Sequence, residues 1–171
     1  MNKTNIKQLT LAALFAALTC VATMIIKIPT PGTGGYIHLG DAFVVLSGIF
    51  LGPIYGGLAA GIGSALSDLL GGYFQYVPIT FLVKGVIAVV VYFVYHKLTR
   101  SIKAPVVKCI ISGIFSTILV AIGYFAFEIF MYGPGAAASI PANLVQGLSG
   151  LVISSILLPI LLKANVKISV A

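Results

Sequence analysis

The sequence predicts an all-α integral membrane protein in which six transmembrane helices form a single domain over residues 1–171. Of the 171 residues, 60% are hydrophobic and only 8% are charged, and the mean hydropathy is +1.15. Soluble proteins average about 45–50% apolar and about 25% charged residues. The composition therefore excludes a soluble domain. Because the apolar residues are spread along the whole chain, the relevant question is the number of membrane spans.

Six apolar stretches are candidates for these spans, since each span needs roughly 20 apolar residues. They cover residues 9–28, 39–52, 54–72, 77–96, 105–127 and 140–162. The second stretch has about 14 residues, so we expect it to tilt with its neighbours or to continue through the Leu-Gly-Pro turn into the third. Lys3 and Lys7 before the first stretch also fit a signal peptide, but the apolar run continues to Ile26, which favours a transmembrane helix.

The basic residues predict the orientation of the chain, because Lys and Arg concentrate in cytoplasmic loops. Eight of the ten lie before the first span, between the fourth and fifth spans, or after the sixth: Lys3, Lys7, Lys97, Arg100, Lys103, Lys108, Lys163 and Lys167. With six spans these groups share one side, which places both termini in the cytoplasm. The net charge of +7 thus reflects membrane orientation, and no nucleic-acid partner is predicted.

The remaining polar residues gather at the opposite end of the predicted helices. The connections 28–38, 72–77 and 128–139 at this end are rich in Gly, Pro and Tyr. All three acidic residues of the chain belong to the same end. The candidate substrate-binding residues are His38, Asp41, Asp68, Tyr73, Tyr76, Lys84, Glu128, Asn143 and Gln146.

Several of these residues also have a simpler structural explanation. A charge at membrane depth costs at least about 2.5–3.5 kcal/mol, so Asp68 and Lys84 are either an ion pair that fixes helix register or a pair that faces a cavity. Asp41 follows Gly40 at a helix start and is more readily explained as a helix cap. Glu128 fits an interfacial charge, and the tyrosines fit the aromatic belt of a membrane interface.

Taken together, the same residues predict a site for a small, polar, planar solute. Tyrosine offers stacking area with a polar tip, and Asn143 and Gln146 lie three residues apart on one helical face. A carboxylate and an ammonium group can fix the orientation of such a solute. The Gly- and Pro-rich segment 29–35 is then a flexible cover, and the predicted gating residues are Pro31, Gly32, Gly34, Gly35 and Tyr36.

Sequence signatures of catalysis and of cofactor binding are absent. The chain has no nucleotide-binding loop, no metal-ligand cluster and no serine–histidine–aspartate spacing typical of hydrolases. Cys20 and Cys109 each stand alone in an apolar stretch and are interpreted as packing residues. We therefore predict a protein that is not an enzyme and needs no cofactor. Energy for uptake would come from an ion gradient or from a partner.

The chain resembles the substrate-binding S components of energy-coupling factor (ECF) vitamin transporters. The resemblance rests on HLGDAFVVLSGIFLGPIYGGLAAGIGSALSDLL at residues 38–70, on ITFLVKG at residues 79–85, and on six spans in a short chain. It implies a multi-pass protein of the bacterial plasma membrane that captures a small vitamin or precursor outside. It further implies association with an EcfT-like transmembrane coupling protein and two cytoplasmic EcfA-like ATPases.

The resemblance also implies roles for particular residues. In that family the first outer loop gates the pocket, and small residues on the first helix meet the coupling protein. The matching partner-interface residues here are Ala12, Ala13, Ala16 and Ala17, and which pair faces the partner is open. Ligand-binding roles carry over to His38, Lys84, Glu128 and Asn143.

The ligand expected from the resemblance is of the pyridoxine or hydroxymethylpyrimidine type. The chain has no tryptophan, which disfavours thiamine, and its tyrosine, carboxylate and amide groups suit a small pyridine or pyrimidine. Pantothenate, riboflavin, folate and niacin stay open.

Two other classes of function are also open. One is an ion-coupled transporter or channel with Asp68 and Lys84 as a relay, and the other is a helical scaffold that binds nothing. Uptake by the protein alone under an ion gradient would favour the transporter. Co-purification with ATPase subunits would favour the S component.

Overall fold

The fold is all-α, as predicted, in a computed structural model that describes residues 3–30 and 34–164. Within these ranges five long helices, α1 to α5, cover Lys3–Ile25, Asp41–Gly71, Val77–Phe93, Pro105–Tyr132 and Ile140–Lys163. A π-helical turn, Val94–Leu98, extends α3, and a 3-10 segment, Gly133–Ser139, leads into α5. Two short antiparallel strands, β1 (Ile28–Pro29) and β2 (Tyr36–Ile37), pair between α1 and α2.

The helices are apolar enough to lie in a membrane. Four continuous helical stretches of the described residues meet the length and hydropathy of a membrane span: Ile6–Ile25, Asp41–Gly71, Val77–Leu98 and Pro105–Lys163. The last of these joins α4 and α5 through the 3-10 segment. The second joins the second and third predicted spans, because α2 continues across the turn where a boundary between them was expected.

Helix α2 is sharply bent at Gly52. This residue has φ 79° and ψ −177°, a conformation that glycine alone adopts without strain, and Pro53 lacks the next backbone N–H donor. The Ser47 hydroxyl donates to the carbonyl oxygen of Gly56 at 3.2 Å. Residues nine apart on a straight helix are separated by about 13.5 Å along its axis. The chain therefore folds back at Gly52, which divides α2 into arm 1 (residues 41–51) and arm 2 (residues 53–71).

The two arms run in opposite directions along α3. Contacts of arm 1 advance along α3, and contacts of arm 2 return along it. The arm 1 contacts pair Asp41 with Lys84 and Gly48 with Ala88. The arm 2 contacts pair Gly57 with Gly85 and Gly61 with Phe81. The start and the end of α2 therefore lie at the same end of the protein.

The protein has two chemically different ends. At one, which we call the basic end, a ring nitrogen of His96 lies 2.9 Å from the carbonyl oxygen of Ile49, and Lys108 Nζ lies 4.3 Å from the centre of the Tyr95 ring. The turn at Gly52 belongs to this end. The opposite end, which we call the polar end, contains the α1–α2 connection and both ends of α2. All three carboxylates of the chain are bonded there.

Substitution of Gly48 by alanine should destabilise the fold. A Cβ atom at this position would collide with the backbone carbonyl of Ala88, and neither helix backbone can move without disturbing the packing of arm 1 on α3. We expect the apparent melting temperature in detergent to fall by roughly 4–10 °C. Gly135→Ala is the matched control, because a Cβ there meets no atom within 4 Å. Equal melting temperatures for the two variants would contradict this packing.

Candidate functional site

A lid, defined here as residues 26–30 and 34–40 between α1 and α2, covers the polar end. Its strands bring Tyr36 inward, and the backbone N–H of Thr30 donates to the carbonyl of Gly35 at 3.0 Å. The Tyr36 hydroxyl donates to Asp68 Oδ1 at 2.6 Å, which ties the lid to the end of arm 2. Burial and the bond to the Asp68 carboxylate raise the pKa of Tyr36 well above its ordinary value. Tyr36 therefore stays a protonated donor at physiological pH.

Aromatic and cation–π contacts also hold the lid in place. The Tyr36 and Tyr73 rings have their centres 4.5 Å apart. Lys27 Nζ lies 4.6 Å from the centre of the Tyr36 ring and 5.2 Å from that of Tyr73, which is the geometry of a cation–π contact. Tyr73 thus supports the lid, whereas the sequence predicted contact with the substrate.

His38 is a buried, neutral part of the lid. The backbone N–H of Gly40 donates to His38 Nδ1 at 3.0 Å, so Nε2 carries the proton of the neutral ring. Burial lowers the pKa of His38 to about 3; the Lys84 and Lys27 ammonium groups add to this effect and the Asp41 carboxylate opposes it. His38 therefore offers an N–H donor and no charge at neutral pH.

A small cavity lies beneath the lid. It offers about 20 Å³ to the centre of a water molecule, which is room for about one water. Its walls come from the lid, the end of arm 2, α3, α4 and α5. The lining residues are Thr30, Gly35, Tyr36, His38, Asp68, Tyr76, Thr80, Tyr124, Glu128 and Asn143. A vitamin-sized molecule can enter only if the lid and these side chains move apart.

Glu128 is buried inside this cavity wall, with 2% of its surface exposed. Tyr76 donates to Glu128 Oε1 at 2.9 Å, and the Ser139 hydroxyl donates to Oε2. Asn143 Nδ2 lies 3.4 Å from the same hydroxyl. The interpretation of Glu128 as an ordinary interfacial charge is therefore wrong, because a buried carboxylate with two hydroxyl donors belongs to an organised polar site.

Asp68 contributes a second buried carboxylate, with 4% of its surface exposed. Its Oδ1 accepts the bond from Tyr36, and its Oδ2 has no hydrogen-bond partner among the described residues. The ion pair that the sequence suggested between Asp68 and Lys84 does not form. Helical spacing placed both side chains at the same depth but could not specify which acidic residue Lys84 would meet.

Lys84 instead pairs with Asp41, at 2.5 Å between Nζ and Oδ1. Gln146 Nε2 donates to the other oxygen of Asp41 at 3.1 Å. Lys84 is fully buried, and its Nζ lies 5.1 Å from the centre of the Tyr124 ring, which lines the cavity. The prediction of Asp41 as a helix cap is wrong: Gly40 occupies the cap position, and the carboxylate points to Lys84 because a buried charge requires a counter-charge.

The structure thus sorts the predicted residues into groups. Five candidate binding residues line the cavity: His38, Asp68, Tyr76, Glu128 and Asn143. Asp41, Lys84 and Gln146 form the buried cluster beside the cavity. Tyr73 supports the lid. Of the gating residues, Gly35 and Tyr36 line the cavity and Gly34 lies beside the Tyr132 hydroxyl. Pro31 and Gly32 lie outside the described residues.

Sequence reasoning missed four polar residues of the site: Thr30, Thr80, Tyr124 and Ser139. The last three could have been predicted from helical periodicity. Each lies four positions before a predicted residue on a helix or at its start, namely Lys84, Glu128 and Asn143. Residues four apart share a helical face, so extending each prediction by one turn would have found them.

The alanine pairs of α1 face different surroundings. Ala12 is buried, and the backbone of Ala16 lies directly against Gly63 of arm 2. Ala13 and Ala17 are exposed on the outer face of α1. One pair therefore packs inside the chain, and the other is free to meet lipid or a partner.

Removal of the Lys84 charge should destabilise the protein. Lys84→Met leaves the buried Asp41 carboxylate without its counter-charge, at a cost of about 3–5 kcal/mol. We expect the apparent melting temperature in detergent to fall by about 10 °C or more. Adding Asp41→Asn should restore most of this loss, because the uncompensated charge is gone.

Lys27→Met is the control for this pair, since it removes a lysine of the lid that forms no salt bridge with any described carboxylate. Its melting temperature should stay within a few degrees of the wild type. The ion pair would not be the stabilising element if Lys84→Met melted like Lys27→Met.

Comparison with known proteins places the chain in a family. The sequence profile of the ECF-type riboflavin transporter S components matches residues 3–163. An uncharacterized protein of Pyrococcus woesei is 35% identical over 134 residues, which cover 78% of this chain and 86% of that protein. The thiamine precursor transporter HmpT of Lactococcus lactis subsp. cremoris is 27% identical over 168 residues, which cover 97% of this chain and 94% of HmpT.

The fold has a counterpart among solved structures. An S component of a bacterial ECF transporter matches with a TM-score of 0.66 at 22% identity, covering 95% of this chain and 99% of that chain. This likeness concerns the fold alone. With the sequence match, it confirms the resemblance inferred from the motifs around residues 38–70 and 79–85. The chain therefore belongs to the ECF-type riboflavin transporter S component family, a group of multi-pass plasma-membrane subunits that bind the transported substrate.

Proposed function

We propose that this chain is the high-affinity substrate-binding subunit of an ATP-driven ECF uptake transporter for a small vitamin or vitamin precursor. The observation that carries the proposal is the lidded polar cavity, where Asp68, Glu128 and Asn143 meet beneath Tyr36 in a chain of which only 8% of the residues are charged. Polar groups at membrane depth are costly, so their convergence on one cavity is best explained by a ligand that uses them.

The favoured ligand belongs to the pyridoxine or hydroxymethylpyrimidine class. The similarity to the thiamine precursor transporter HmpT over nearly the full length supports this choice. The cavity adds support because its hydroxyl, amide and carboxylate groups, with the rings of Tyr76 and Tyr124, suit a small planar heterocycle. Riboflavin, which the family description names, is the main competitor within the same function.

In the proposed topology the chain crosses the membrane six times, with both termini in the cytoplasm. The arms of α2 would be the second and third spans, because arm 2 runs antiparallel to arm 1. Arm 1 has only 11 residues, about 16.5 Å of helix, so the lid would complete its side of the membrane. The excess of Lys and Arg at the basic end supports a cytoplasmic location for that end.

The proposed mechanism involves binding and movement without covalent chemistry. Substrate enters from outside when the lid opens, which requires the bond between Tyr36 and Asp68 to break. The lid closes again over the bound ligand. The whole subunit then reorients when it docks on an EcfT-like coupling protein, with ATP hydrolysed by two EcfA-like partners. The ion-coupled alternative lacks support, because Lys84 is bonded to Asp41 and forms no relay with Asp68.

The ligand can be identified by mass spectrometry of small molecules released from the purified protein. We expect one vitamin or precursor in near-stoichiometric amount, and the same compound should bind to the ligand-free protein by calorimetry. Co-purification with coupling and ATPase subunits from the native membrane is the second readout. Solute uptake by the chain alone in liposomes, driven by an ion gradient, would contradict the proposal.

The outer face of α1 is proposed as the docking surface for the coupling protein. Ala13→Leu places a large side chain on this exposed face, so it should leave ligand affinity within about threefold and reduce ATP-dependent uptake by tenfold or more. Ala16→Leu is the contrasting variant, because it faces Gly63 and should lower the melting temperature before any docking is tested. Normal uptake by Ala13→Leu would remove this face from the interface.

A further inference from the structure

The cavity has an unbalanced charge. Two carboxylates, those of Asp68 and Glu128, are part of its lining, and no Lys or Arg lines it in the described part of the chain. His38 is neutral and Lys84 is committed to Asp41. Lys27 of the lid is not among the residues that line the cavity, and its Nζ lies over the Tyr36 and Tyr73 rings. The two cavity carboxylates therefore have hydroxyl donors but no bonded counter-charge.

The two carboxylates differ in how far their hydrogen-bonding capacity is used. Glu128 accepts a hydroxyl donor on each oxygen, from Tyr76 and Ser139. Asp68, which lines the cavity, accepts one donor, Tyr36, on Oδ1, while its Oδ2 is buried and has no hydrogen-bond partner among the described residues. A buried acceptor without a donor is unfavourable. Asp68 Oδ2 is thus the atom of this cavity that most requires a donor from a ligand.

The charge balance discriminates between ligand classes. A cationic group or an N–H or O–H donor on the ligand would satisfy Asp68 Oδ2 and offset the negative charge of the cavity. A carboxylate or phosphate on the ligand would face two buried carboxylates, and none of the described residues that line the cavity is a lysine or arginine that could pair with it. The charges of the cavity therefore disfavour the binding of anionic ligands.

We propose that Asp68 and Glu128 select ligands that present hydrogen-bond donors or positive charge, and that Asp68 Oδ2 is the atom that binds that donor-bearing edge. The inference rests on the proposed function and narrows it to amino- or hydroxymethyl-substituted nitrogen heterocycles. Anionic vitamins such as carboxylates and phosphate esters are excluded. Because Asp68 also holds Tyr36, the same carboxylate joins the ligand to the lid.

Matched ligand pairs test this selection. Calorimetric titration of the ligand-free protein compares the affinities of two compounds in each pair. The first pair is 4-amino-5-hydroxymethyl-2-methylpyrimidine and its 5-carboxylate analogue, and the second is pyridoxine and 4-pyridoxate. The protein should bind at least one of the two ring systems, pyrimidine or pyridine. For that ring system, the hydroxymethyl compound should bind at least about 100-fold more tightly than the carboxylate. Equal affinity within that pair overturns the inference and leaves the proposed function intact.

Asp68→Asn tests the assigned atom. The asparagine carbonyl can still accept the Tyr36 bond, but the position facing the cavity loses its negative charge. The preference for the hydroxymethyl compound should fall to less than about tenfold, chiefly through weaker binding of that compound. Ser116→Ala is the control, since it removes a neutral buried hydroxyl of α4 that does not line the cavity, and it should keep the wild-type preference.

Glu128→Gln provides a second test if Asp68→Asn does not yield folded protein, as judged by its melting curve. This variant should also reduce the preference for the hydroxymethyl compound over the carboxylate, because it removes the negative charge of Glu128. An unchanged preference in the folded carboxylate variants overturns the inference. A chain that binds neither scaffold and releases no vitamin on denaturation overturns the proposed function, and the inference falls with it.

Discussion

The reversal of α2 at Gly52 is the constraint on which the rest of the structure depends. It returns the chain to the end where α2 began, so that Asp41 and Asp68 both reach the polar end although 27 positions separate them in the sequence. A straight helix would separate these two residues by about 40 Å. The positive φ of Gly52 and the missing N–H donor of Pro53 make the reversal possible.

The polar end combines two kinds of buried charge with different consequences. The pair of Asp41 and Lys84 joins arm 1 to α3 and is neutral as a unit, so it stabilises the arrangement and leaves no charge for a ligand. Asp68 and Glu128 are bonded to hydroxyl groups and keep the cavity negative. In the proposed function, the framework and the recognition of a solute thus belong to neighbouring but separate groups, and the Tyr124 ring lies between Lys84 and the cavity.

Much of this organisation could be predicted from the sequence, because lipid imposes strong rules. Apolar stretches located the helices, and the grouping of polar residues away from the lysines indicated the end of the protein that contains the polar cavity. The ion-pair partner of Lys84 could not be predicted, because helical spacing gave the depth of Lys84 in the membrane but did not show whether it would meet Asp41 or Asp68. The short strands of the lid were also missed, since Gly and Pro indicate a turn without specifying which residues pair across it.

In the proposed function, the polar end encloses a small molecule beneath the lid. A structure of the protein with the compound it releases on denaturation tests this most directly. We expect the compound to lie between Tyr36 and Asn143, with a donor on Asp68 Oδ2 and the lid closed above it. A compound found outside this space, for example in an apolar groove between helices while the polar cavity stays closed, would contradict it.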